Sequence, residues 1–163
     1  MHVDSTTQKV LGYLGRALSL ELSAVQLYST QARLVANWGL DKAAERFRAE
    51  AREEMQHVER IIARLLSRGA APGASQLRPV TTGPDLLALL EFDRQFELEL
   101  AGLYGDAVEY CRLNGEVNDL HFFQVLLEEE QQHGAVLDAW INSLPNATGT
   151  AASQVDARGR HAS

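Results

Sequence analysis

The sequence contains a single cysteine, Cys111, in 163 residues. An internal disulfide is therefore impossible, and a closed thiolate cage for structural zinc is excluded. Long apolar runs are missing too: none approaches the ~20 residues that cross a bilayer, so no membrane partner is expected. Positive charge is in deficit, with 15 Lys and Arg against 22 Asp and Glu and a net charge of -7. That balance disfavours a nucleic-acid partner and favours metal cations. The opening residues, Met1-His2-Val3-Asp4-Ser5, lack the basic and apolar regions of a secretion signal. Together with the lone cysteine, this predicts a soluble, cytoplasmic protein. Proline is scarce as well: there are four, and Pro72 and Pro79 fall in one short segment.

What is present is helical pattern. With 45% hydrophobic residues, a chain of this length can bury the core of one domain. Val10, Leu14, Leu18, Val25, Tyr28, Ala32 and Val35 step by three, four or seven, which predicts a first helix from about Thr6 to Asn37. Gly39 offers its stop and Asp41 an N-cap for a second helix, from about Asp41 to Arg68. Residues Gly69 to Gly83 have no helical period. At ~3.3 Å per residue this segment spans about 50 Å, against about 42 Å for the second helix, so it can run the length of a bundle. Such a crossover sets helices two and three parallel. Pro84 is placed to open helix three, which continues to about Leu113. Helix four is expected from Asn118 or Asp119 to Leu144, stopped by Pro145. The predicted organisation is an all-α four-helix bundle over residues 1–145, followed by a small, polar, disordered tail over 146–163.

One short stretch occurs twice, as Glu53-Glu54-Met55-Gln56-His57 and as Glu129-Glu130-Gln131-Gln132-His133. In each, a Glu stands three residues before a His, so both side chains leave one helix face a turn apart. Glu21 precedes Glu54 by 33 residues, and Glu97 precedes Glu130 by 33. All four glutamates sit on apolar stripes near mid-helix, so in a bundle they converge at one level. Uncompensated, four buried carboxylates would each cost several kcal/mol or take up protons. Two divalent cations neutralise them. An oxygen-rich site with one imidazole per ion suits iron, with manganese as the alternative. Glu53, Glu128 and Glu129 are expected on solvated faces. Glu50, one turn before Glu54, fits either a surface charge or a metal ligand. His2, His121 and His161 have no carboxylate at this spacing and are not expected to bind metal.

A Glu from each of two helices with Glu-x-x-His from each of the other two is the layout of ferritin-like di-iron bundles. The chain resembles bacterioferritin from about Leu18 to Leu144. The resemblance is carried by Glu21-Leu22-Ser23-Ala24 with Tyr28, by Ala32-Arg33, by Asn37-Trp38-Gly39-Leu40 and by Glu54-Met55-Gln56-His57. It implies a ferritin-like four-helix bundle with two iron ions per subunit. In that family pattern Glu21 and His57 are terminal ligands of one iron, and Glu97 and His133 of the other. Glu54 and Glu130 would bridge them. The implied activity is ferroxidation, in which O2 or peroxide oxidises Fe(II), and the ferric product is stored inside a shell of subunits. The implied assembly is a homo-oligomer, at least a dimer formed through helices one and two.

The resemblance also implies haem b between two subunits, ligated by a Met at the position of Met55. Here Arg48, Arg52 and Glu59 share the face of Met55, and Ser29 stands where the family carries an aromatic residue. Ile61 and Val136 replace oxidisable aromatics of some relatives, while Tyr28 remains. After Pro145 there is no amphipathic period for the fifth helix of cage-forming relatives. Two further functions are compatible with this pattern: a di-metal peroxidase or oxidase that stores nothing, and a haem- or metal-binding accessory subunit of a bacterioferritin shell.

Overall fold

The computed structural model describes residues 4–145 of the chain. The expected tail, 146–163, lies outside the described residues. Four helices follow in order: α1 (Ser5–Asn37), α2 (Asp41–Ser67), α3 (Leu86–Asn114) and α4 (Val117–Ser143). None is long and apolar enough to cross a membrane.

The boundaries have local causes. Asp4 caps α1 by accepting from the Thr7 N–H at 2.7 Å, and Asp85 caps α3 by accepting from Ala88 N–H at 2.9 Å. Each satisfies a donor that a helix start leaves without a partner. Gly39 ends α1 with φ +80, a conformation that a side chain disfavours. Leu144 is extended, as a residue ahead of proline must be, and α4 stops there. Three expected caps are different in the structure. Asp41 is the first residue of α2, capped by Leu40 without a side-chain bond. Pro84 lies ahead of α3, because Asp85 takes the cap. Neither Asn118 nor Asp119 opens α4, which starts at Val117. Asp119 is instead drawn inward, where Arg64 Nε donates to it at 2.7 Å and Arg68 bonds its other oxygen.

Cross-helix pairs set the topology. Tyr28 meets Glu97, Glu21 meets Tyr104, and Gln31 meets Asp93, so α1 and α3 are antiparallel. Arg60 with Glu129 and Arg68 with Glu116 make α2 and α4 antiparallel. α1 packs mainly on α2, and α3 on α4, as two hairpins. Helices α2 and α3 are thus parallel, as the long connection requires. That connection is fastened to the bundle. The backbone N–H groups of Gln76 and Arg78 donate to the Ser19 and Ser23 hydroxyls at 3.2 and 3.0 Å, and the Arg78 guanidinium pairs with Glu99 of α3.

The core is contributed by all four helices, with Leu14, Phe47, Leu90 and Phe123 fully buried. Each such side chain contributes about 1.5–3 kcal/mol by leaving water. Into this apolar interior the helices carry four glutamates, one apiece.

Candidate metal centre

Glu21, Glu54, Glu97 and Glu130 are at most 1% exposed, and His57 is 4% exposed. Ligand atoms of Glu21, Glu54, His57 and Glu130 all lie within 4.8 Å of one another, and so do those of Glu54, Glu97, Glu130 and His133. The two groups share Glu54 and Glu130. The structure therefore brings together all six residues singled out by spacing, as two overlapping sets of three carboxylates and one imidazole. His57 Nδ1 stands 2.8 Å from Glu130, 3.1 Å from Glu54 and 3.4 Å from Glu21. His133 Nδ1 is 3.2 Å from Glu54 and 3.5 Å from Glu130. The two rings lie 5.6 Å apart and nearly parallel, at 14°.

The two halves of the chain correspond. Glu21 and Glu97, Tyr28 and Tyr104, Phe47 and Phe123, Glu53 and Glu129, Glu54 and Glu130, and His57 and His133 are all separated by the same 76 positions. The halves exchange contacts at the centre. Tyr28 donates its hydroxyl to Glu97 and Tyr104 donates to Glu21. Phe47 stacks on Tyr28 at 6.4 Å, and Phe123 tilts against Tyr104 at 6.3 Å, which holds both phenols in place. Burial and the facing carboxylates push both phenols well above their ordinary pKa, so they stay donors.

Glu53 and Glu129 face solvent as expected, with side chains 55% and 39% exposed, yet each also meets a histidine. Glu129 reaches across to His57 Nε2 at 3.0 Å, and Glu53 reaches His133 Nε2 at 3.0 Å. Each accepts the Nε2 proton and leaves Nδ1 turned to the carboxylates, an arrangement that orients metal-binding histidines and raises their basicity. Glu128 is exposed, as expected. Glu50 is half-buried, with a ligand atom within 4.8 Å of Glu53 and His133.

Charge explains why this centre suits cations. Burial pushes Glu21 and Glu97 well above the usual carboxylate range. For Glu54 and Glu130 burial works the same way, but the two histidines close beside them outweigh it and hold both low. The histidines are raised in turn, against their own burial, with His133 at about 12. Even so, Glu21 Oε2, Glu97 Oε2, both oxygens of Glu54 and Glu130, and Nδ1 of both histidines have no hydrogen-bond partner. Among the described residues, the other buried side-chain atoms in this position belong to Gln31 and Asp93. Leaving so many buried donors and acceptors unpaired costs roughly 1–3 kcal/mol each, so the arrangement suits ions that would bind all of them.

A model described as a ferritin-like domain matches residues 11–147. Bacterioferritin of Rhodobacter capsulatus is 35% identical to this chain over 134 residues, covering 82% of this chain and 83% of that protein. This chain belongs to the bacterioferritin family. Bacterioferritin of Brucella melitensis is 31% identical, over 83% of this chain and 84% of its own. A solved structure of the Rhodobacter capsulatus bacterioferritin, with a metal-free dinuclear site and haem iron in a crystallographic special position, superposes with a TM-score of 0.80. It is 34% identical and the match covers 87% of each chain. The fold is accordingly the ferritin-like four-helix bundle.

Within that family, Met55 lies apart from the carboxylates. It is 42% exposed and lines a groove of about 590 Å³ between α1 and α2. Val25, Ala32 and Ala51 form its apolar surface, and Arg33, Arg48 and Arg52 surround it. Glu59, expected on this face, does not line it.

Spacing alone missed Glu53, Glu129, Asp93, Gln31 and Asp119. A signal existed for two of them: Asp93 falls three after Leu90 and four before Glu97 on the buried stripe, and Gln31 falls three after Tyr28.

Proposed function

We propose that the chain is a ferroxidase that takes two Fe(II) as substrate at the six-residue centre and passes their electrons to O2 or peroxide, as the chemical step of iron storage and detoxification. The observation that carries this reading is the set of unpaired, buried oxygens and Nδ1 atoms, gathered in two groups that share Glu54 and Glu130. Glu21 with His57 and Glu97 with His133 are the terminal ligands, and Glu54 and Glu130 lie between the two ions. Four carboxylates match two divalent cations in charge, with both imidazoles neutral. Two Fe(II) supply two electrons, enough to reduce O2 to peroxide or peroxide to water. The chain's part is to hold the ions as a pair, to keep one oxygen of Glu21 and of Glu97 tied by a tyrosine, and to fix both histidines through Glu53 and Glu129. The test is oxygen uptake on adding Fe(II), expected at about one O2 per two Fe(II) when paired ions act together. Glu130→Ala removes a group shared by both ions and should abolish fast oxidation; oxidation at the parent rate would refute the assignment.

The groove at Met55 supports a second, compatible reading, haem binding at a face shared with another copy. The exposed thioether is a soft iron ligand, and three guanidiniums suit the carboxylates of a haem. Bound there, haem would supply one-electron transfer, and Met55 would hold its iron. Protein produced with ample haem should show a Soret band that is lost in Met55→Leu; no band in the parent protein would remove this reading.

A further inference from the structure

One buried polar pair belongs to neither the six-residue centre nor its supports. Asp93 of α3 and Gln31 of α1 are both 0% exposed, and Gln31 Nε2 donates to Asp93 Oδ1 at 2.6 Å. The second Asp93 oxygen, Oδ2, and the Gln31 amide oxygen, Oε1, have no partner. An amide and a carboxylate joined by one N–H bond thus leave one buried acceptor on each residue. A single proton on Oδ2 satisfies both, because the resulting O–H donates to the amide oxygen and closes a two-bond ring.

The surroundings favour that proton. Among the described residues no cation is bonded to Asp93, whereas the buried Asp119 at the other end of the bundle holds two arginines. The charged groups around Asp93 are Glu50 from α2, which acts on it directly, and Tyr28 from α1. On its own helix Glu97 follows one turn later, and the neighbouring Arg94 is turned to Asp138 of α4 at 2.7 Å. Burial first, and Glu50 in addition, raise the Asp93 carboxyl to about 7, although the Gln31 bond opposes the shift.

We propose that Asp93 and Gln31 form a neutral acid–amide ring, and that Asp93 is a proton store for the four-glutamate centre one turn away. The storage role rests on the di-iron reading; the ring does not. Two Fe(II) leave the centre neutral, so Asp93 keeps its proton. Oxidation passes two electrons to O2, whose release as H2O2 takes up two protons; Asp93 supplies one of them and solvent the other, and the Fe(III) pair left behind holds Asp93 ionised.

Infrared difference spectroscopy tests both parts. Zn(II), added at two per chain, displaces the protons of the glutamates without oxidation. The carbonyl stretch of a protonated acid should persist at pH 6 in this form, fade as the pH passes 7, and be absent from Asp93→Asn. Gln31→Leu should keep the band and move it to higher frequency, since its hydrogen bonds are gone. A Zn(II)-loaded parent protein without the band, or a band that survives in Asp93→Asn, overturns the ring. In the Fe(II)-loaded protein the band should vanish on exposure to air, and its persistence after oxidation overturns the store. Failure to take up two Zn(II) per chain counts against the metal centre alone, and the ring is then read from metal-free parent minus Asp93→Asn spectra.

Discussion

Loading the metal-free protein with two divalent cations should expel four protons. Without metal, the six groups reach neutrality with protons alone. Burial keeps Glu21 and Glu97 as acids, while Glu54 and Glu130 are ionised opposite two imidazoliums. With two cations the same zero is reached by four carboxylates and two neutral imidazoles, and the difference is four protons. Because the loaded form holds fewer protons, acid favours the empty form. Each released proton changes the binding free energy by about 1.4 kcal/mol per pH unit. The pair should therefore bind more weakly by about 5–6 kcal/mol, or roughly 10⁴ in its overall constant, for each unit the pH falls near neutrality. Calorimetric titration with Zn(II) in two buffers of equal pH and different protonation enthalpy measures the proton count directly. A count near four supports the charge account, with Asp93 contributing none. A count of two or fewer would show that the glutamates and histidines are already in their ligand states, and the reasoning would fail.

Glu53→Gln and Glu129→Gln should each leave the fold intact and weaken metal binding by roughly tenfold or more, because a neutral amide no longer strengthens the facing histidine; competition against a chelator measures this, with the exposed Glu128→Gln unchanged. Asp119→Asn leaves Arg64 and Arg68 facing a neutral group in a buried pair, and it should lower stability by about 3 kcal/mol. A urea midpoint shift worth less than 1 kcal/mol would contradict that role for Asp119.

The four helices and their crossover were legible because each rests on local chemistry. A 3.6-residue apolar period marks a helix whatever it packs against, and a long unpatterned segment rich in glycine and proline has to travel. The caps were less legible. Asp41, Pro84 and Asp119 all suit helix starts, and Asp119 was taken instead by Arg64 of α2 and by Arg68, which caps that helix, 55 and 51 positions away in the chain. The six residues of the centre could be named because a carboxylate on an apolar stripe is anomalous on its own helix, before any partner is known. Glu53 and Glu129 show no such anomaly. Each lies one position from a buried glutamate, on a face that its own helix turns outward, and acquires a role only from a histidine on the opposite helix.

Sequence by itself thus determined which residues must be buried, and hence that four negative charges would need compensation. Tertiary structure alone decided how those charges are shared: which two glutamates stand between both histidines, which tyrosine holds which carboxylate, and that Asp93 meets an amide where Asp119 meets arginine. The reason is physical. Burial follows from a helix's own periodicity, whereas the partner of a buried polar group is chosen across the bundle, by the packing that sets which side chains come within hydrogen-bonding distance.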